Sequence, residues 1–329
     1  MPTRRLNRLH GWAVLLALAA SATATPAFAQ SYPSKTIKLV VPLGPGGPTD
    51  VAARVVAQVM QSELGQSVVV ENRPGAGGAT GSKMVVAADP DGYTLLIGTS
   101  ATLGTVPALV KNPGYNPIKS FAPVARVSES TLVLTVPAGF PANSVKEFVA
   151  YAKANPGKLS YASAGVGNQT QLLAELFKAK TGIEAIHVPY KSGAEMVTSL
   201  LSGQTQMAFP DISILLPLIR EHKVKALAVT SAVRHPELPD VPTMIESGIP
   251  DYVLTFWTGV VAPAETPSAV VNTLNGAIVK GLNSESVRAT LARVGAQATP
   301  GTPQDFAAFI ASETKKWRDV AKVSGFSLN

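Results

Sequence analysis

Short β-branched runs and longer amphipathic runs alternate along this chain, and the alternation starts twice. In the first round Thr36 to Val41 is predicted as a strand and Val51 to Leu64 as a helix capped by Asp50. Ser67 to Glu71 is a second strand. A helix through Ala87 follows the turn Pro74-Gly75-Ala76-Gly77-Gly78, and Thr94 to Gly98 is a third strand. After the proline-punctuated stretch Pro113 to Pro123 the pattern restarts. Strands are expected at Thr131–Val136, Leu159–Ala162, Ala185–Val188, Gln206–Phe209 and Val224–Thr230. Helices are expected at Ser144–Ala154, Gln171–Lys180, Ala194–Leu201 and near Ile214–Glu221. Pro236 to Pro250 is turn-rich. Val253 to Val261 is strand-like, and Ser268–Leu282, Ser284–Val294 and Pro303–Val323 are helical.

Strands alternating with helices imply parallel sheets covered on both faces. Two rounds imply an α/β fold of two doubly wound domains. The late strand is expected to complete the first sheet, so domain 1 comprises residues 30–130 and 253–329 and domain 2 residues 131–252. The chain then crosses near residues 130 and 252, where hinges are expected.

Residues 1–29 depart from this pattern. Arg4, Arg5 and Arg8 precede an apolar run from Trp12 to Ala20, and Ala27-Phe28-Ala29 supplies small residues for a signal peptidase. The run is too short for a permanent membrane span. The expectation is a periplasmic protein cleaved after Ala29, beginning at Gln30. Cleavage takes the net charge from +7 to +4, because three arginines and no acids are lost. That excess can steer small anions, but no dense basic run points to nucleic acid. With no cysteine among 329 residues, disulfides, thiolate zinc sites and cysteine nucleophiles are excluded. No cofactor or metal is expected.

The candidate chemistry lies in two glycine-rich turns. Leu43-Gly44-Pro45-Gly46-Gly47-Pro48-Thr49-Asp50 joins a strand to a helix, and Ser163-Ala164-Gly165-Val166-Gly167-Asn168-Gln169-Thr170 does the same downstream. Glycine leaves backbone N–H groups accessible, and a helix N-terminus beside them favours an anion. Pro45 and Pro48 cannot donate, which leaves Gly44, Gly46, Gly47 and Thr49 in the first loop. Ser163, Gly165, Gly167 and Asn168 are the candidates in the second. Each loop by itself can equally be a tight turn; two in matching positions favour a shared cleft. Asp50 reads as a structural cap, since a carboxylate would repel an acid. Thr99, Ser100 and Thr102 follow a strand end, where open α/β sheets place ligands, or they cap the next turn. Tyr190 and Lys191 sit at another strand end.

Several stretches together resemble the extracytoplasmic solute receptors of the tripartite tricarboxylate transporter system, the Bug receptor family. They are Val41-Pro42 with Gly44-Pro45-Gly46-Gly47, Glu71-Asn72-Arg73-Pro74-Gly75-Ala76-Gly77-Gly78, Asp89-Pro90-Asp91-Gly92-Tyr93-Thr94, Ser163-Ala164-Gly165-Val166-Gly167, Val188-Pro189-Tyr190-Lys191, Pro239-Asp240-Val241-Pro242-Thr243 and Trp257-Thr258-Gly259. The resemblance covers the mature chain. It implies a clam-like periplasmic binding protein that is not an enzyme and grips a ligand carboxylate through the two glycine loops. The implied partners are a small organic acid (a di- or tricarboxylate, an amino acid or an aromatic carboxylate) and membrane transporter subunits of the same system. Asp211 matches a family position that can meet a ligand amine or hydroxyl; a helix N-cap is the equal alternative. Asn168 and Gln171 depart from the serine or threonine and the histidine common in the family, and Leu43 and Pro48 depart in the first loop.

The rival class is an exported hydrolase of small esters or amides. Gly98-Thr99-Ser100-Ala101-Thr102 lacks the second glycine of a nucleophile elbow, no His-Glu-x-x-His or P-loop occurs, and only His187 of the four histidines falls in a strand-like run. An interaction module, the third class, has no repeat or apolar stripe in its favour.

Overall fold

The computed structural model describes residues 32–325, and the compact unit of the chain begins at Lys35. The expected signal segment lies outside the described residues. No described helix is long and apolar enough to cross a membrane.

The elements follow the two rounds of alternation. Strand β1 (Ile37–Val41), helix α1 (Pro48–Leu64), β2 (Val68–Asn72), α2 (Ala79–Val86), β3 (Thr94–Thr99) and the short α3 (Val106–Leu109) open the chain. A long strand β4 (Phe121–Thr131) leads into β5 (Val133–Pro137), α4 (Val145–Ala154), β6 (Ser160–Ser163), α5 (Gln169–Thr181), β7 (Ile186–Pro189), α6 (Gly193–Leu201), β8 (Met207–Ala208), α7 (Ile212–Arg220) and β9 (Val224–Val229). The chain closes with β10 (Thr255–Pro263), α8 (Ser268–Leu282), α9 (Glu285–Arg293), β11 (Ala296–Ala298) and α10 (Pro303–Ser324).

These strands form a six-stranded sheet ordered β11-β4-β10-β3-β1-β2 and a five-stranded sheet ordered β7-β6-β8-β5-β9. Each carries its own helices, giving two lobes. Sheet membership changes at Leu132, between β4 and β5, and again between β9 and β10. The sheets are mixed rather than purely parallel. β1 runs parallel to β2 and β3, and β6 parallel to β7 and β8, but β10 is antiparallel to both β3 and β4, and β5 antiparallel to β8 and β9.

β4 is the element the hydrophobic pattern did not announce. Phe121-Ala122-Pro123-Val124-Ala125-Arg126-Val127-Ser128-Glu129-Ser130-Thr131 contains a proline and a polar tail. The ladder to β10 shifts register opposite Val260 and Val261, beside Pro123, so the missing donor falls at an irregularity. The tail is accommodated by pairing: Ser128 meets the Thr258 hydroxyl at 2.8 Å, and Arg126 stacks 3.8 Å over the Phe309 ring.

The C-terminal helix α10 ties the two cores together. It starts with a capping box between Thr302 and Asp305, has Pro303 in its first turn, and stops at Gly325 in the left-handed conformation. Phe306 and Ile310 enter the core around Trp257, while Trp317 and Val320 enter the larger core around Phe148, Phe177 and Tyr252. Helix packing in the first lobe leaves little slack: a Cβ added to Gly281 on α8 would lie 2.1 Å from a methyl of Val59 on α1. Gly281→Ala is therefore expected to destabilise the protein by about 1–2 kcal/mol, although alanine favours helix by about 1 kcal/mol. Urea unfolding of the variant checks this.

Candidate functional site

Open α/β sheets leave a crevice beyond the carboxyl ends of their parallel strands, where the next helices begin. In this chain that crevice is a cleft of about 910 Å³. The first turns of α1, α5, α6 and α7 reach it through Pro48 and Thr49, Gln169 and Thr170, Gly193, and Asp211 with Ile214. The positive ends of four helix dipoles thus point into one space. Lys83 and Lys191 also line it, and Asp211 is the acidic residue among the lining side chains. Much of the remaining wall is apolar, including Leu43, Val106, Leu132, Met196, Ile214 and Phe256.

Of the sequence candidates, Gly44, Gly47, Thr49, Gly165, Gly167, Asn168 and Asp211 line this cleft. Gly46, Thr99, Ser100 and Ser163 do not.

The first loop is organised by Asp50, which is not the N-cap. Gly47 occupies the N-cap in an extended conformation, and Asp50 sits in the first helical turn. Its carboxylate accepts from the Gly46 N–H at 3.1 Å, Arg54 Nε at 2.9 Å and Asn72 Nδ2 at 3.0 Å. Burial alone would raise its pKa, but Arg54, the Gly46 N–H and Asn72 together hold it below the usual carboxylate value. The Gly46 N–H is thereby turned inward, and its φ of +83° explains the glycine there. Among the described residues, the N–H and hydroxyl of Thr49 have no protein partner; as the second residue of α1, Thr49 has no intrahelical acceptor for its N–H.

The second loop keeps many of its own donors. Gly167 N–H donates to Gln171 Oε1 at 2.7 Å, Ala164 N–H to Thr170 Oγ1 at 2.9 Å, and Gly165 N–H to Ser163 Oγ at 3.3 Å. Asn168 is the N-cap of α5, accepting from Thr170 N–H at 3.0 Å. Ser163 is fully buried, and its Oγ lies 2.7 Å from His187 Nε2.

Thr99 and Ser100, both fully buried, act behind the cleft wall. Thr99 Oγ1 caps the following π-turn, accepting from the N–H groups of Ala101 at 3.2 Å and Thr102 at 3.1 Å. Ser100 donates to Gln169 Oε1 at 2.6 Å, and Gln169 Nε2 donates to the Thr255 carbonyl at 2.9 Å. One buried glutamine of the second lobe thus clasps two points of the first at the cleft's edge. Asp211 proves to be a helix N-cap and a cleft residue together. It accepts from Ser213 N–H at 2.9 Å and from the Ser130 hydroxyl, and its burial raises its pKa against those bonds.

Sequence reasoning passed over Lys83, Gln169 and the Ala76-Gly77 pair, which also line the cleft. The last pair was legible: Pro74 to Gly78 is a third glycine-rich turn between a strand and a helix, of the same make-up as the other two.

Comparison with known proteins decides the family. Residues 52–326 match the tripartite tricarboxylate transporter family receptor. The chain belongs to that family. Protein BugT of Bordetella pertussis (strain Tohama I) is 36% identical over 312 residues, covering 94% of this chain and 96% of BugT. Rpa4515 of R. palustris, solved with adipate, superposes with a TM-score of 0.82 at 35% identity, covering 90% of this chain and 99% of that one. The periplasmic binding protein BugD gives a TM-score of 0.79 at 36% identity, with 90% and 99% covered. The two-lobed fold of this receptor is accordingly that of periplasmic binding proteins.

Proposed function

We propose that this receptor holds a small organic acid between its lobes, with one carboxylate at the N-terminus of α1, and hands it to membrane subunits of a tripartite tricarboxylate transporter. The observation that carries this reading is the convergence of four helix N-termini, two lysines and the unpartnered donors of Thr49 on a single cleft. A charge-assisted hydrogen bond contributes about 1.5–3 kcal/mol, so a few such donors support micromolar binding after ordering costs. Adipate bound to Rpa4515 is consistent with a carboxylate ligand. The hinges of this reading are the two points where the chain changes sheet, Leu132 and the stretch between Val229 and Thr255; Thr131 still pairs with Thr255 in the first sheet, one residue beyond the boundary expected at residue 130.

Binding without turnover belongs to the same proposal. Ser163 beside His187 has the partners of a nucleophile and base, yet the polarity runs the wrong way. Gln171 Oε1 is committed to the Gly167 N–H, so Gln171 Nε2 is the atom facing His187 Nδ1 at 3.1 Å. An amide nitrogen only donates, which makes Nδ1 the acceptor and leaves the proton on Nε2. Nε2–H then donates to Ser163 Oγ instead of withdrawing its proton. The serine hydroxyl in turn donates to the Gly165 carbonyl at 3.1 Å. A hydrolase would need the opposite tautomer.

Native mass spectrometry of protein isolated from the periplasm tests the reading. The expected result is a chain beginning at Gln30 that carries a small acid, and prolonged incubation returns that acid unchanged. A chain still beginning at Met1, or conversion of the acid, overturns the corresponding part.

A further inference from the structure

We propose that His187 is a positioning residue which locks the second cleft loop only while its imidazole is neutral, so that acid loosens the loop. His187 lies on β7, directly beside Tyr161 of β6, and the two rings stack with centroids 4.9 Å apart. Through Nε2 it meets Ser163, the residue that opens the loop, and through Nδ1 it meets Gln171, whose other amide atom holds Gly167. Both glycines of the loop, at φ +128° for Gly165 and +74° for Gly167, are thereby hydrogen-bonded into one chain. The direction is consistent throughout: Gln171 donates to His187, His187 to Ser163, and Ser163 to the Gly165 carbonyl.

A second proton on His187 has no place in that chain. An Nδ1–H would face the donor side of the Gln171 amide. Turning the amide to present Oε1 would bring Nε2 against the Gly167 N–H, which is also a donor. Either arrangement leaves two donors opposed, and the loop must give up the bond to Gly167. The titratable and charged groups around the ring are Tyr161 on β6 and Glu175 and Lys178 on α5. Glu175 accepts from the Tyr161 hydroxyl and pairs with Lys178 at 2.9 Å, so much of its attraction for a charged imidazole is already taken up. Burial lowers the His187 pKa, with Lys178 adding to that and Glu175 opposing it.

The sign follows from linkage. The folded protein favours neutral His187, so the lock is complete above the free-histidine value of about 6.5 and weakens as pH falls below it toward the depressed folded value. Because the loop lines the cleft, its loosening lowers affinity for an acid there; this consequence, unlike the lock, rests on the receptor reading.

The test uses the mature protein without added ligand. Nitrogen-15 NMR of His187 is expected to show the neutral Nε2–H tautomer at pH 7.5. The Gly167 amide resonance should shift with the same midpoint as the imidazole, below the free-histidine value. His187→Gln keeps a donor toward Ser163 but cannot titrate, so its Gly167 resonance should stay flat between pH 7.5 and 5, while His187→Leu should show the unlocked position at every pH. A neutral Nδ1–H tautomer, or a Gly167 resonance that ignores His187 titration, overturns the proposal. Neither outcome bears on whether the cleft binds an acid, which the mass measurement reads separately.

Discussion

Gly47→Asp is expected to lower affinity for the bound acid by more than a hundredfold while leaving the unliganded fold intact. Gly47 is the N-cap of α1, with φ −84° and ψ 173°, a conformation open to any L-residue. A Cβ placed there meets nothing within 4 Å. Aspartate is also among the best N-cap residues, so the helix loses nothing by the change. Function is different. The new carboxylate would engage the very N–H groups that a ligand carboxylate would use and add a like charge beside it. Such a repulsion at ~4 Å costs on the order of 4 kcal/mol at an effective dielectric of 20. Calorimetric titration with the acid found by native mass spectrometry, alongside thermal melting of the free protein, separates the two effects. Undiminished affinity would show that the first loop is a turn and no more. Gly46 is a poorer place for this test, because its N–H already serves Asp50 and its backbone is left-handed.

Glu313→Leu is expected to destabilise the protein by about 3–5 kcal/mol in chemical denaturation. Glu313 is 1% exposed on α10. Its Oε2 accepts from Trp257 Nε1 at 2.9 Å and from Trp317 Nε1 at 3.2 Å, and its other oxygen pairs with Lys316. Trp257 belongs to the first lobe's core and Trp317 to the core that fills the second. Leucine would strand two buried indole donors at once, one in each core. Glu313→Gln keeps an acceptor for the tryptophans and should cost markedly less. Equal losses for the two variants would mean that packing, and not the paired donors, is what the side chain contributes. The position is tight in any case: a Cβ on Gly104 would come within 2.5 Å of the Trp317 ring.

Both variants bear on how the lobes are related. Gln169 holds Ser100 and Thr255 across the cleft's edge, and α10 contributes to both cores.

The alternation of period-two and helical patterns determined the two-lobed α/β class and most element positions, because burial on one face of a helix or inside a sheet is written residue by residue. Glycine punctuation likewise located the cleft loops, since glycine adopts at little cost the positive φ seen at Gly46, Gly165 and Gly167. What the sequence could not announce was β4. Its polar tail is buried only because Thr258, Phe309 and Asp211 arrive from distant segments to receive it. The same holds for the site. Composition identified donors; it did not tell which were free. Asp50 turns the Gly46 N–H inward, and Gln171 does so for Gly167, while Thr49 is left facing the cleft. Ser163 and Ser100, plausible ligand contacts by their position after strands, are occupied by His187 and Gln169. A hydrogen-bond donor is chemically available only where no nearer acceptor in the folded chain has taken it, and that is decided by tertiary structure.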